Sequence, residues 1–322
     1  MKNTLTRRTV LAAAAAALTL GAGPALAQAP FPSQTLKIIV PYPAGGATDI
    51  LARMMAQKLG EAWSVSVVVE NKPGAGGTIG NNAVAKAAPD GNTILMAITA
   101  IIQQPPLMSL PYDPIRDFAP VTQIAKSPSM FAVPLTSPAT TLKDFVALVK
   151  ANPGKYNYGT YGAGTSSHIQ GSLLNLQGGL DMVHVPFQGA APLVTNMVGG
   201  QLTSAFIDSA SARAHIKSFR PLAVTGTARM ASLPDVPTFK ELGGDWVDGA
   251  YRGVGVPKST PEDIRRRISD IFSEINRDPD FRQKMADGGF ELIDVTYDKM
   301  PAFIAERTKA YLEIARMMGL AK

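Results

Sequence analysis

Two glycine-rich turns, Pro43-Ala-Gly-Gly-Ala-Thr-Asp49 and Tyr161-Gly-Ala-Gly-Thr-Ser-Ser-His168, each stand between a strand-like segment and a helical one. Leu36 to Val40 runs into the first turn and Ile50 to Leu59 follows it; Lys155 to Tyr158 runs into the second and Ile169 to Leu176 follows it. Glycine leaves backbone N–H groups uncovered. The first turn of a helix adds unpaired N–H donors and a partial positive charge, so a small anion can be held there without a cationic side chain. Either turn alone is an ordinary tight connection. Two of them, about 120 residues apart, suit a ligand gripped from two lobes.

Residues 1–27 read as an export segment. Lys2, Arg7 and Arg8 precede an apolar, alanine-rich run from Val10 to Leu20, Gly21 and Pro24 break it, and Ala25-Leu-Ala27 supplies a small-x-small cleavage pattern. The run is too short for a bilayer, which needs roughly 20 residues. Ile94 to Ile102, the longest later rival, has the length of a buried strand. Thr6-Arg-Arg-Thr-Val-Leu11 partly matches a twin-arginine signal, and a general secretory signal that contains Arg-Arg fits equally. There is no cysteine, so disulfides, thiol nucleophiles, thiolate metal sites and lipidated cysteines are excluded. Cleavage removes three of the 31 Lys and Arg and none of the 25 Asp and Glu, lowering the formal net charge from +6 to +3. Basic residues are scattered, and Arg265-Arg-Arg267 suits a solvated helix face, so no nucleic-acid partner is expected. The expected product is a free soluble monomer, cleaved near Ala27 and exported from a bacterial cytoplasm.

Along the mature chain strand and helix signals alternate, which points to α/β layers. The spacing predicts strands at Leu36–Val40, Val65–Val69, Thr93–Ile98, Met182–Pro186, Thr203–Ile207 and Pro221–Thr225. It predicts helices at Asp49–Leu59, Thr78–Ala87, Leu142–Lys150 and Ala190–Val198. An extended segment from Gln123 to Val133, broken by Pro128, and Tyr251–Val256 read as two crossings between lobes. The C-terminal third reads as helical and is expected to pack back on the first lobe. Thr260 with Pro261, and Asp278 with Pro279, look like cap-plus-proline starts, and Thr296 is a candidate cap for a helix ending near Met318. The organisation is then a signal peptide at 1–27, a discontinuous lobe 1 at 34–127 and 250–322, and lobe 2 at 128–249. The fold class is α/β, two lobes with the cleft between them and a hinge of two crossings.

Three other constellations carry less. Pro73-Gly-Ala-Gly-Gly-Thr-Ile-Gly80 looks like a dinucleotide fingerprint, but Ile79 occupies the third glycine position and Glu70-Asn-Lys-Pro73 parts the glycines from their strand. A tight turn capping the second helix, at the edge of the cleft, is the better account. Ser166, Ser167 and His168 invite a hydrolase reading, but neighbours on a helix point about 100° apart and no Gly-x-Ser-x-Gly elbow exists. His168 is expected to pack the loop or donate one hydrogen bond, and His184 to be structural. The three histidines make no zinc pattern, so neither a metal nor a cofactor is expected.

Several stretches in order resemble the Bug/TctC-type receptors of tripartite tricarboxylate transporters. They are Val40 to Asp49, Asn71 to Gly77, Ala88-Pro-Asp-Gly91, Pro111-Tyr-Asp-Pro114, Asp117 to Val121, Tyr158 to Thr165 with His168, Val183 to Gly189, Gly199-Gly-Gln201 and Leu233 to Thr238. The resemblance implies a two-lobe periplasmic binding protein of type II-like fold, a receptor that closes on a small carboxylate and delivers it to membrane permease subunits, without catalysis. A sensor input to a membrane kinase and an exported Ser/His hydrolase are the alternatives. It also implies that the two turns hold the ligand. The expected ligand-binding residues are Tyr42, Ala44, Gly45, Gly46, Thr48, Asp49, Thr99, Gly162, Ala163, Gly164, Thr165, Ser166 and His168. Asp208 matches a family aspartate in a loop at the border of the cleft.

Neither turn contains Lys or Arg, so charge neutralisation is expected mainly from dipoles and hydroxyls such as those of Thr48, Thr165 and Ser166. Gln188 and Tyr251 stand where the family often has Lys and Trp, and Thr99-Ala-Ile-Ile102 replaces a small polar loop. If Ile101 and Ile102 line the cleft, the middle of the ligand is apolar.

Overall fold

The computed structural model describes residues 31, 32, 34–244, 246 and 249–319; the export segment lies outside them. Strand β1 (Leu36–Val40) enters the first turn and emerges as helix α1 (Ala47–Trp63), and β2 (Val67–Asn71) returns parallel to β1. Helix α2 (Thr78–Ala85), strand β3 (Thr93–Ile98) and the one-turn helix α3 (Ala100–Gln103) follow, with β3 parallel to β1 on its other side. Strand β4 (Phe118–Ser127) is parted by Pro128 alone from β5 (Ser129–Pro134), which lies in a second sheet. That sheet is built from α4 (Leu142–Ala151), β6 (Tyr156–Thr160), α5 (Ser166–Gly178), β7 (Met182–Pro186), α6 (Ala190–Val198), β8 (Ala205–Asp208), the one-turn α7 (Ser209–Ala212) and β9 (Phe219–Val224). Strand β10 (Ala250–Pro257) returns to the first sheet, and α8 (Glu262–Arg277), α9 (Pro279–Asp287), β11 (Glu291–Val295) and α10 (Met300–Met317) complete the chain.

The strand orders are β11-β4-β10-β3-β1-β2 and β7-β6-β8-β5-β9. In the first sheet β10 runs antiparallel between β3 and β4, with Ala250 opposite Ser127 at the point where both strands leave for the other lobe. The two crossings therefore lie side by side. A Cβ on Gly249 would stand 2.1 Å from the Ser127 carbonyl oxygen, so the backbones touch there and only glycine fits.

Each lobe has its own core. On α1, Leu51, Ala52, Met55, Ala56 and Leu59 form one buried stripe at helical spacing. Ile38, Ile94 and Leu95 of the sheet are likewise fully buried. The second lobe is aromatic: Phe131 meets Phe145 edge-on at 5.0 Å, and Phe206, Phe239 and Trp246 follow, the last two 4.5 Å apart.

Four departures from the expected elements have local causes. The C-terminal third is not wholly helical: Glu291–Val295 pairs antiparallel with β4 as an edge strand. Thr260 does not cap α8; Pro261 takes the cap position and the Thr260 hydroxyl is buried without a partner. Thr296 caps no helix with its side chain and precedes a short 3₁₀ turn. Helix α10 packs on α3 of the first lobe, yet its Ile314 and the adjacent Met318 pack against the aromatic core of the second. Asp278 behaves as read, accepting from the Phe281 N–H with Pro279 in the first turn of α9. Among the described residues, no helix is long and apolar enough to cross a membrane.

Candidate functional site

The first turn closes on itself before it faces anything else. Gly45, at φ +84°, donates its N–H to Asp49 Oδ2 at 3.0 Å; Asn71 Nδ2 donates to Oδ1 at 2.9 Å, and Arg53 pairs with both oxygens. Burial alone would raise the Asp49 carboxyl. The bonds from Arg53, Gly45 and Asn71 outweigh it and hold the group below its ordinary value. Asp49 thus shapes the turn. Gly46 caps α1 in extended conformation, and the Ala47 N–H of that helix reaches across to Ser211 Oγ of the second lobe at 3.3 Å.

The second turn follows the same logic with different groups. Gly162 and Gly164 take φ +121° and +71°. Thr165 Oγ1 donates to the Gly162 carbonyl at 2.7 Å, and the Tyr161 N–H donates to Ser167 Oγ at 2.9 Å. The Gly164 N–H donates to His168 Nδ1 at 3.1 Å. Of the two roles expected of it, His168 thus packs the loop, and its ring nitrogen accepts a hydrogen bond rather than donating one. Its ring stacks on His184 at 4.2 Å, and His184 on Tyr158 at 5.2 Å, while His184 Nε2 bonds the Thr160 hydroxyl at 2.7 Å. Burial lowers the His168 imidazole; burial and the neighbouring His168 lower His184 to about 4. Both rings are neutral at pH 7, as an acceptor Nδ1 requires.

The turns meet. Tyr42, Gly46, Ala47 and Thr48 of the first lobe face Tyr161, Thr165, Ser166, Asp208 and Ser211 of the second around a cavity of about 30 Å³. Beneath it lies a group absent from the sequence reading. Arg252, on β10 and 3% exposed, pairs with Asp208, 1% exposed, at 3.2 Å, and donates to Ser127 Oγ at 2.9 Å and Thr48 Oγ1 at 3.3 Å. Asp208 also accepts from Tyr161 Oη at 2.9 Å and from the N–H and hydroxyl of Ser211. The cavity thus holds one guanidinium, paired with a carboxylate, beside the dipoles and hydroxyls expected from the turns. Arg252 escaped notice because a lone arginine in a strand carries no pattern, and its partner lies in the other lobe. Burial pushes the Tyr42 and Tyr161 phenols well up, so both are neutral donors.

Around this cavity the lobes touch at several points. Thr99 Oγ1 lies 3.1 Å from Ser166 Oγ, which donates to Gln103 Oε1 at 3.2 Å. Gln104 Nε2 donates to the carbonyls of Gly76 and Ala163. The Gly74–Gly77 loop, read as a tight turn at the edge of the cleft, is a contact surface between the lobes. A Cβ on Gly76 would stand 2.7 Å from the Ala163 carbonyl, and the Gly76 carbonyl accepts from Tyr42 Oη at 3.0 Å.

Of the fourteen residues singled out, Tyr42, Gly46, Thr48, Thr165, Ser166 and Asp208 line the cavity. Ala163 and Thr99 lie at the lobe contact, and Gly45, Asp49, Gly162, Gly164 and His168 shape the two turns, with Ala44 beside Gly45. Ile101 and Ile102 lie elsewhere, in an apolar pocket of about 340 Å³ walled by Phe118, Ile304 and Leu312. The end of a strand does not reveal which way the next helical turn swings its side chains. The Ser166 and Ser167 hydroxyls are engaged with Thr99, Gln103, Tyr161 and Thr165 rather than with His168. Among the described residues no group of three His, Asp or Glu is placed to hold a metal ion.

Comparison with known proteins gives this geometry a context. Residues 51–320 match the family described as tripartite tricarboxylate transporter family receptor. BugT of Bordetella pertussis is 30% identical over 298 residues, which cover 90% of each chain. An R. palustris protein solved with adipate superposes with a TM-score of 0.87 at 27% identity, over 90% of this chain and 99% of its own. MatC from Rhodopseudomonas palustris, solved with bound malate, gives 0.81 at 26%, over 88% and 99%. The match runs from α1 through α10, across both sheets and both crossings. The chain belongs to the tripartite tricarboxylate transporter receptor family, as a Bug/TctC-type periplasmic solute-binding receptor of two α/β lobes.

Proposed function

We propose that this receptor captures a small carboxylate, most simply a dicarboxylate, between the two glycine turns and hands it to membrane permease subunits, with no catalytic step. It works as a soluble periplasmic monomer after cleavage near Ala27. Lobe 1 comprises 34–127 and 250–322, and lobe 2 comprises 128–249. The observation that carries the reading is the meeting of the first turns of α1 and α5 on one cavity underlain by Arg252. Helix N-termini offer N–H donors that have no partner within the helix. The Thr48 hydroxyl, which accepts from Arg252, keeps its own O–H to donate, whereas those of Thr165, Ser166, Ser211 and Tyr42 already donate within the protein and serve a ligand only by exchanging those bonds. Arg252 adds a positive charge that Asp208 balances, so the ligand's own charge meets a preorganised and nearly neutral set of dipoles. The solved relatives with adipate and with malate support a carboxylate of this size.

The test is a thermal-shift screen of mono- and dicarboxylates, followed by calorimetry on Gly46→Pro. Gly46 has φ −81°, which proline tolerates, and its Cβ would stand 3.6 Å from Ala190 Cβ, an ordinary contact. The substitution therefore removes the N–H of a residue that lines the cavity without a Cβ clash. Affinity is expected to fall tenfold or more while the melting temperature stays within a few degrees. An affinity within threefold of wild type would remove the first turn from the site. Uptake of the labelled ligand by cells lacking and regaining the chain tests delivery.

A further inference from the structure

The cavity between the turns has room for about one water molecule. A second pocket, of about 410 Å³, adjoins it: Ser166 lines both, and Gln103, to which Ser166 donates, lines the second. Its walls come from both lobes. Ile169 and Leu173 project from α5, Ile314 from α10, and Trp246 from the loop before β10. Trp246 is held by its indole N–H, which donates to Gln177 Oε1 at 2.9 Å. Its charged lining, Arg307 and Glu313, is one cation and one anion, so the pocket attracts by apolar contact rather than by net charge.

We infer that this pocket receives the body of the ligand, which makes the substrate an elongated carboxylic acid with an aliphatic or aromatic middle. This rests on the proposed carboxylate site at the turns. One carboxylate lies against the α1 and α5 N-termini. The chain then passes the partition made by Thr99, Ser166 and Gln103, where the two hydroxyls and the Gln103 amide N–H can donate to the carboxylate as it displaces their mutual bonds. The apolar body lies between α5 and α10, where Ile169, Leu173 and Ile314 cover it and the Trp246 ring offers a flat face. The apolar requirement drawn earlier from Ile101 and Ile102 thus passes to different side chains.

The test is calorimetry with succinate, adipate, suberate and sebacate, and with malate as a short hydroxy acid. Each added methylene buried in the pocket is expected to tighten binding about fourfold until the pocket is full. Ala310→Trp, on the half-buried face of α10 that lines the pocket, fills it from outside the turns. It is expected to weaken sebacate binding at least tenfold and leave succinate within twofold. Ala310→Leu, a smaller change, serves if circular dichroism shows the tryptophan variant unfolded. Equal affinity along the series, with Ala310→Trp silent, overturns the inference and leaves the turn site standing. If no carboxylate of any length binds, the turn site itself fails and the pocket reading falls with it.

Discussion

At the residue scale, Arg252 and Asp208 are the least expendable pair. Both are almost wholly buried, so each charge has been taken from water and is compensated chiefly by the other and by Ser127, Tyr161 and Ser211. Removing one partner of a buried pair leaves an uncompensated charge, at a cost of about 3–5 kcal/mol. Arg252→Met is expected to lower unfolding free energy by that amount in urea titration, and adding Asp208→Asn to recover at least ~1 kcal/mol of it. No recovery in the double variant would mean that the loss came from packing. The glycines, Thr48 and Ser166 were legible in the sequence because each sits at a fixed offset in a strand–turn–helix pattern. Arg252 was not, because nothing local distinguishes it. Asp208 was legible only through family resemblance, and its role emerged when both lobes were placed together.

At the element scale, α5 lies unusually close to the strand it follows. A Cβ on Gly171 would stand 2.3 Å from two ring carbons of Tyr158 on β6. In an exposed helix, Gly→Ala stabilises by about 1 kcal/mol. Here the methyl must displace a ring already stacked on His184, and overpacking costs about 1–3 kcal/mol. The clash wins. Gly171→Ala is expected to lower the melting temperature by several degrees and to weaken carboxylate binding, because it shifts the helix end that carries Ser166. A raised melting temperature would show that the ring rotates away freely. Strand–helix order was legible from alternation and punctuation, with Thr93–Ile98, Met182–Pro186 and Ala190–Val198 appearing as read. The edge strand at Glu291–Val295 was not, because five residues between helices offer too short a run to reveal a period. Its pairing with β4 is a tertiary choice.

At the scale of the whole molecule, the lobe contacts depend on missing side chains. Gly76 lets two backbones touch: its Cβ would meet the Ala163 carbonyl and Gln104 Nε2, each at 2.7 Å. Ligand binding should draw the lobes together and reduce the radius of gyration in small-angle scattering. Gly76→Ala, at φ +63°, is expected to hold them apart and abolish that contraction. An unchanged wild-type profile at confirmed saturation would instead confine the site to one lobe. The side-by-side crossings at Ser127–Ser129 and Gly249–Ala250 add a mechanical consequence. Two adjacent antiparallel straps fastened along one line favour one swing angle over twisting or sliding. The search for the shut position is then a sweep along one coordinate, and little orientational entropy remains to be lost on capture. A receptor jointed this way behaves like a latch, and a mixture of free and loaded molecules should scatter as a weighted sum of two shapes.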